Sequence, residues 1–169
     1  LQASGLPTIL RAGLRHRVTI LVYHAIAAEA FIRHLEFLAR SYHIVALTEA
    51  VKGLAGLQNL PDNPLVLTFD DGYRSFHTDV YPILLRFQAP ATVFLTTDYL
   101  GTNDILWFDW IDIAFSSASE RLESILPPRV RRTDPSTRRH ALIGYLKRAC
   151  DDERLAVMQH VRELVAITD

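Results

Sequence analysis

The stretch LVLTFDDG at residues 65–72 decides how this chain folds. Leu65, Val66 and Leu67 run through Thr68 to Phe69 without polar alternation. That is the pattern of a strand covered on both faces, as in parallel sheets flanked by helices. Asp70 and Asp71 therefore fall at its carboxyl end, the edge of α/β sheets and barrels where loops converge and ligands bind. Two adjacent carboxylates repel and burial raises their cost, so such a pair at a strand mouth calls for a cation or a shared proton. Gly72 predicts a sharp turn directly after them.

Working outward, residues 18–23 (VTILVY) predict a first buried strand ending at His24. His24 thus shares the address of the aspartates, and it either lines the site or is satisfied by neighbouring backbone. Phe31, Leu35 and Leu38 follow helical spacing within residues 29–40. Residues 43–47 (HIVAL) predict a short second strand, Thr48 caps a helix over 49–57, and 59–64 form a turn into the central strand. Val80, Ile83, Leu84 and Phe87 mark the next helical face, with Pro82 admissible only near its first turn. Residues 91–95 (ATVFL) predict a fourth strand, with Thr96, Thr97 and Asp98 at its end. The alternation of strand and helix over the first hundred residues predicts right-handed βαβ units and a parallel sheet, closed or open.

From residue 104 onward no strand pattern of comparable quality occurs. Asn103 or Asp104 caps an aromatic-rich helix carrying Ile105, Leu106, Phe108, Trp110, Ile111, Ile113 and Phe115, which Pro127 and Pro128 end. Trp107 and Trp110 read either as core aromatics or as flat faces that stack on a sugar ring. Asp134 followed by Pro135 starts a further helix, and Asp151 or Asp152 starts the last, with Leu155, Met158, Val161, Leu164 and Val165 as its apolar stripe. The organisation expected is one domain over 1–169, with βα repeats over 1–103 and a helical segment over 104–169.

Composition sets bounds. The chain has 169 residues, 49% hydrophobic and 22% charged, enough for a sizeable core. A net charge of -1 provides no basic field for nucleic acid. The one local cluster, Arg129, Arg131, Arg132, Arg138 and Arg139, reads as a solvated loop and helix start, with an anionic partner as the alternative. The single cysteine, Cys150, excludes an internal disulfide framework. No apolar run approaches the roughly 20 residues of a transmembrane helix. The opening residues, LQASGLPTILRAGLRHR, lack the basic-then-apolar order of a secretory signal. A magnesium-dependent phosphoryl-transfer site would want a phosphate-cradling glycine loop or a nearby lysine, and neither Lys52 nor Lys147 follows a strand.

Four ordered blocks carry a family resemblance: Tyr23-His24, then Thr68-Phe69-Asp70-Asp71-Gly72-Tyr73, then Tyr81-Pro82-Ile83-Leu84, and then residues 89–95 (APATVFL). Over residues 18–110 the chain resembles the polysaccharide deacetylases of the NodB-homology type, the carbohydrate esterase group with a distorted (β/α) barrel. The resemblance implies a hydrolase that removes N-acetyl groups from an N-acetylhexosamine polymer using a divalent metal, zinc or similar. It assigns the general base to Asp70 and a metal ligand to Asp71, with His24, Tyr73 and Trp107 lining the site. It also suggests a bacterial cell-envelope or extracytoplasmic setting.

Physically this is coherent, since a bound cation polarises the acetamide carbonyl and acidifies a water while the second carboxylate accepts its proton. The family's paired metal histidines, however, come from a downstream H-(S/T)-x-x-x-H motif that is absent. The seven histidines, His16, His24, His34, His43, His77, His140 and His160, form no such pair. The expectation is the amino-terminal part of a longer deacetylase whose barrel is completed by a missing carboxyl-terminal part or by oligomerisation. The alternative is a non-catalytic carbohydrate-binding or interaction module. In a third arrangement His24 and His77 stand in as ligands.

Overall fold

In a computed structural model, residues 17–166 are described; the reading of the opening residues as lacking a signal lies outside them except at Arg17. The chain forms two compact units, one through Asp98 and one from Tyr99.

The first unit is organised around β3 (Pro64–Phe69), every residue of which is buried. Strand β1 (Thr19–Tyr23) runs parallel to it, with Tyr23 opposite Phe69. The other edge of β3 is shared. β2 (His43–Ile44) pairs with its start and β4 (Ala91–Val93) with its end, both parallel. The parallel α/β architecture expected of the opening strands of a (β/α) barrel is therefore present, although β1 adjoins β3 rather than β2.

Alternate side chains of β3 face opposite ways. Leu65, Leu67 and Phe69 pack with Phe31, Leu35 and Leu38 of α1 (Ala28–Leu38) and Ile83 and Leu84 of α3 (Tyr81–Phe87). Val66 packs instead with Val45 and with Ala50 of α2 (Leu47–Leu54). Aromatic rings extend the first cluster, with Phe69 stacked on Tyr23 at 5.2 Å and edge-on to Phe31 at 5.5 Å. Burial pushes the Tyr23 phenol above its ordinary pKa, and its hydroxyl lies 3.3 Å from His34 Nδ1.

Three local readings are corrected. β1 is covered on one face only, since Ile20 and Val22 are 51% and 55% exposed. Apolar composition alone does not distinguish a strand buried on both faces from one whose second face borders a cleft. The predicted second strand shrinks to two residues, because the chain turns into α2 at Leu47. Thr48 lies inside that helix. The cap comes instead from Glu49, whose carboxylate accepts from the Ala46 N–H at 2.9 Å, half of a capping box. Pro82 does sit in the first turn of α3, which a single widened turn, Phe76–Val80, precedes.

The second unit is helical: α4 (Trp107–Ser117), α5 (Ser119–Ile125), α6 (Pro128–Arg131), α7 (Arg138–Leu146) and α8 (Asp151–Ala166). Ile111, Leu122, Leu142, Leu146 and Val161, each at most 1% exposed, form its core. The aromatic-rich stretch is two helices, broken at Ala118 (φ -138°). Asp134 acts as expected, accepting from Ser136 N–H at 2.9 Å with Pro135 at the first helical position.

Asp104 does a different job from the capping predicted for it. Its carboxylate accepts from Trp110 Nε1 at 3.0 Å and from Arg162 Nη2 at 2.8 Å, tying the lead-in of α4 to α8. The Arg162 guanidinium also lies over the Trp110 ring, 5.6 Å from its centroid.

Candidate functional site

The site grows from the end of β3. Asp70 N–H donates to the Tyr23 carbonyl at 2.8 Å, extending the ladder by one residue and setting His24 beside the aspartates. The chain then reverses tightly. Gly72 N–H donates to the Asp70 carbonyl at 2.9 Å, while Asp71 and Gly72 both adopt left-handed conformations, φ 71° and 73°. Aspartate tolerates this region better than most residues but is still strained there. A Cβ added at Gly72 would lie 2.5 Å from Leu95 Cδ2, so the half-exposed Leu95 side chain would have to shift, and the positive φ remains the main demand for glycine.

The turn directs Asp71 inward. Its side chain is 19% exposed, and Oδ2 is buried with no hydrogen-bond partner among the described residues. The nearest cationic candidate is His24 Nε2, 3.9 Å from Oδ2 and on a side chain 60% exposed. That distance allows attraction to an imidazolium but is too long for a hydrogen bond. A buried carboxylate oxygen without a donor costs free energy, and a cation removes that cost.

Asp71 therefore fits as one metal ligand. The described residues contain no group of three or more His, Cys, Asp or Glu placed to hold a metal ion. His77 does not join His24. It is exposed on the widened turn before α3, with its ring stacked on Tyr81 at 6.1 Å.

Period-two alternation places Asp70, Thr68 and the exposed Ile20 and Val22 on the sheet face opposite the main core. These residues line a cleft of ≈ 510 Å³, together with Asp71, Leu47, Phe94, Leu95 and Thr96. The volume suits a sugar-sized ligand. Thr68, although 4% exposed, belongs to the cleft wall and is held by donating to the Leu21 carbonyl at 3.2 Å.

Sequence reasoning did not assign Ile20, Val22, Thr68, Phe94 or Leu95 to the site. The signal was available in part, because counting back by twos from Asp70 reaches Thr68 and the parallel register then adds Val22. Tyr73, expected as a lining residue, is half-buried in the turn after Gly72, where its carbonyl accepts from Phe76 N–H at 2.9 Å. Trp107 belongs to the helical unit, where it packs against that unit's core and edge-on to Phe108.

Residues 58–134 match the family model for polysaccharide deacetylase. The chain is 48% identical over 50 residues to the poly-beta-1,6-N-acetyl-D-glucosamine N-deacetylase of Escherichia coli (strain K12), covering 30% of this chain and 7% of that protein. Among solved structures it is similar to a de-N-acetylase from Aggregatibacter actinomycetemcomitans, at 27% identity over 53% of this chain and 42% of that one, TM-score 0.49. It is also similar to IcaB from Ammonifex degensii, at 26% identity over 56% and 47%, TM-score 0.49. The chain thus spans less than half the length of each of these relatives. No helix among the described residues is long and apolar enough to cross a membrane. Residues 58–134, which include Asp70 and Asp71, thus match the polysaccharide deacetylase family model, and a 50-residue stretch of the chain is similar to the E. coli enzyme.

Proposed function

We propose that this chain serves the hydrolytic N-deacetylation of an N-acetylhexosamine polysaccharide, with Asp70 as general base and Asp71 as a ligand of a divalent cation, zinc or similar. The observation that carries this reading is the Asp70-Asp71 pair at the open end of β3, with Asp71 Oδ2 buried and lacking a donor among the described residues. A bound cation supplies Lewis acidity toward the acetamide carbonyl and the attacking water. Asp70, on the cleft-facing side of β3, accepts the proton of that water. The acetamide carbon–nitrogen bond breaks, releasing acetate and leaving a free amine on the sugar.

His24 stands beside Asp71, and the apolar wall of Ile20, Val22 and Phe94 gives a pyranose face a surface to rest on. The name of the E. coli relative supports poly-β-1,6-N-acetylglucosamine as the first substrate to try; the setting we propose with it, from the family resemblance, is cell-envelope or extracytoplasmic polysaccharide. Acetate release from N-acetylglucosamine oligomers tests the assignment. Asp70→Asn is expected to lower the rate by about a hundredfold or more, the range for loss of a general base, with the thermal melt unchanged. A variant retaining full rate refutes the role of Asp70.

The lack of a three-ligand cluster among the described residues favours a second reading, a carbohydrate-binding module without turnover. Saturable oligomer binding with no acetate released in the presence of zinc selects it.

A further inference from the structure

We propose that the helical unit carries a second binding site, for a small organic anion, in the cleft between the α5–α6 connection and the α7–α8 turn. The cleft has a volume of ≈ 650 Å³, within the range of small-molecule sites. Leu126 (φ -59°, ψ 135°) and Pro127 (φ -52°, ψ 142°) hold the connection extended, and Pro128 starts α6, so a stiff proline wall faces α7. Val130, Ala141 and Ala149 continue an apolar lining, and Tyr145 presents the one aromatic ring.

Two guanidiniums, Arg129 and Arg148, border this lining. Of the other arginines in the basic cluster, Arg132 is exposed and does not line the cleft, and three are already engaged. Arg131 donates to the Ser124 and Leu126 carbonyls, Arg138 pairs with Glu123, and Arg139 makes a two-point contact with Asp112, Nη2 to Oδ2 at 2.7 Å. Arg129 and Arg148 make no ion pair among the described residues. The only acid lining the cleft, Glu153, accepts the Tyr145 hydroxyl, which holds the phenol above its ordinary pKa and leaves one carboxylate against two cations.

A stiff apolar wall beside two uncommitted planar donors suits an oxyanion carried on an apolar or pyranose body, because guanidinium matches carboxylate and phosphate geometry. Neutral sugars meet the wall but leave both cations unanswered. This accounts for part of the basic cluster as a ligand contact rather than a solvated face.

The test is titration of the whole chain with glucuronate, glucose 6-phosphate and glucose, followed by amide NMR shifts. Saturable shifts grouped at residues 127–133 and 145–149 are expected with glucuronate or glucose 6-phosphate, and the stronger of the two identifies carboxylate or phosphate. Glucose is expected to give none. Arg129→Ala and Arg148→Ala are each expected to weaken binding about fivefold, the scale of an exposed ion pair, with melts unchanged. Arg148→Lys, which keeps the charge but loses the fork, is expected to fall between. No shifts with either anion, equal shifts with glucose, or binding unaffected in both alanine variants overturns the proposal.

Discussion

Asp71→Asn separates the role of the carboxylate in a site from any role in stability. The wild-type side chain has one buried oxygen without a donor among the described residues, 3.9 Å from His24 Nε2. An unsatisfied buried polar atom costs roughly 1–3 kcal/mol. Because the side chain keeps 19% exposure, the lower end applies, about 1 kcal/mol. Removing the charge in an isosteric side chain is therefore expected to leave the metal-free protein as stable or to raise it by up to about 1 kcal/mol. For a chain of this size that is a rise of about 2–4 °C in Tm.

Added zinc should reverse the order. A ligand at a hundredfold excess over its Kd stabilises the native state by about 2.7 kcal/mol, and the variant should lose most of that gain. Circular-dichroism melts of both proteins, with chelator and with zinc, read both quantities. If Asp71→Asn lowers the metal-free Tm by several degrees, the carboxylate is already satisfied in the fold. If zinc raises both proteins equally, Asp71 is not a ligand.

Further outcomes follow from the same geometry. Gly72→Ala places a Cβ at φ 73° and 2.5 Å from Leu95 Cδ2, so a loss of about 1–2 kcal/mol is expected in denaturant unfolding. Pairing it with Leu95→Ala should recover only the steric part. Thr68→Val removes the donor to the Leu21 carbonyl inside a buried strand and is expected to cost about 1 kcal/mol by the same assay. Hydrogen bonding from Trp110 holds the Asp104 carboxyl below the ordinary value of 3.8, with the Ile105 N–H and Arg162 adding to it. Its contribution is thus complete above that value and fades as pH falls through the lowered one. Asp104→Asn should accordingly lower Tm at neutral pH and match wild type in strong acid, whereas an equal difference at both pH values refutes the link.

Much of the first unit was legible because local rules and packing agree there. The continuous apolar run of β3 required cover on both faces, and the adjacent Asp-Asp-Gly required a reversal that only a small set of residues tolerates. The start of α8 at Asp151 and the Asp134–Pro135 helix start followed from capping chemistry, which acts within a few residues. The Asp104 expectation failed for a non-local reason. The helix starts only at Trp107, and the Asp104 oxygens, besides accepting from the adjacent Ile105 N–H, are taken by an indole six residues away and a guanidinium 58 residues away.

By itself the sequence determined the βα order, the address of Asp70, Asp71 and His24 at strand ends, and the helical character of the second unit, since each depends on side-chain period and chain punctuation. The tertiary structure alone decided that β1 lies against β3, that Ile20 and Val22 face a cleft, and that, among the described residues, Asp71 buries an oxygen without a donor and Arg129 and Arg148 make no ion pair beside Tyr145. Those outcomes depend on which distant segments meet, and strand pairing, burial and charge pairing are properties of that meeting.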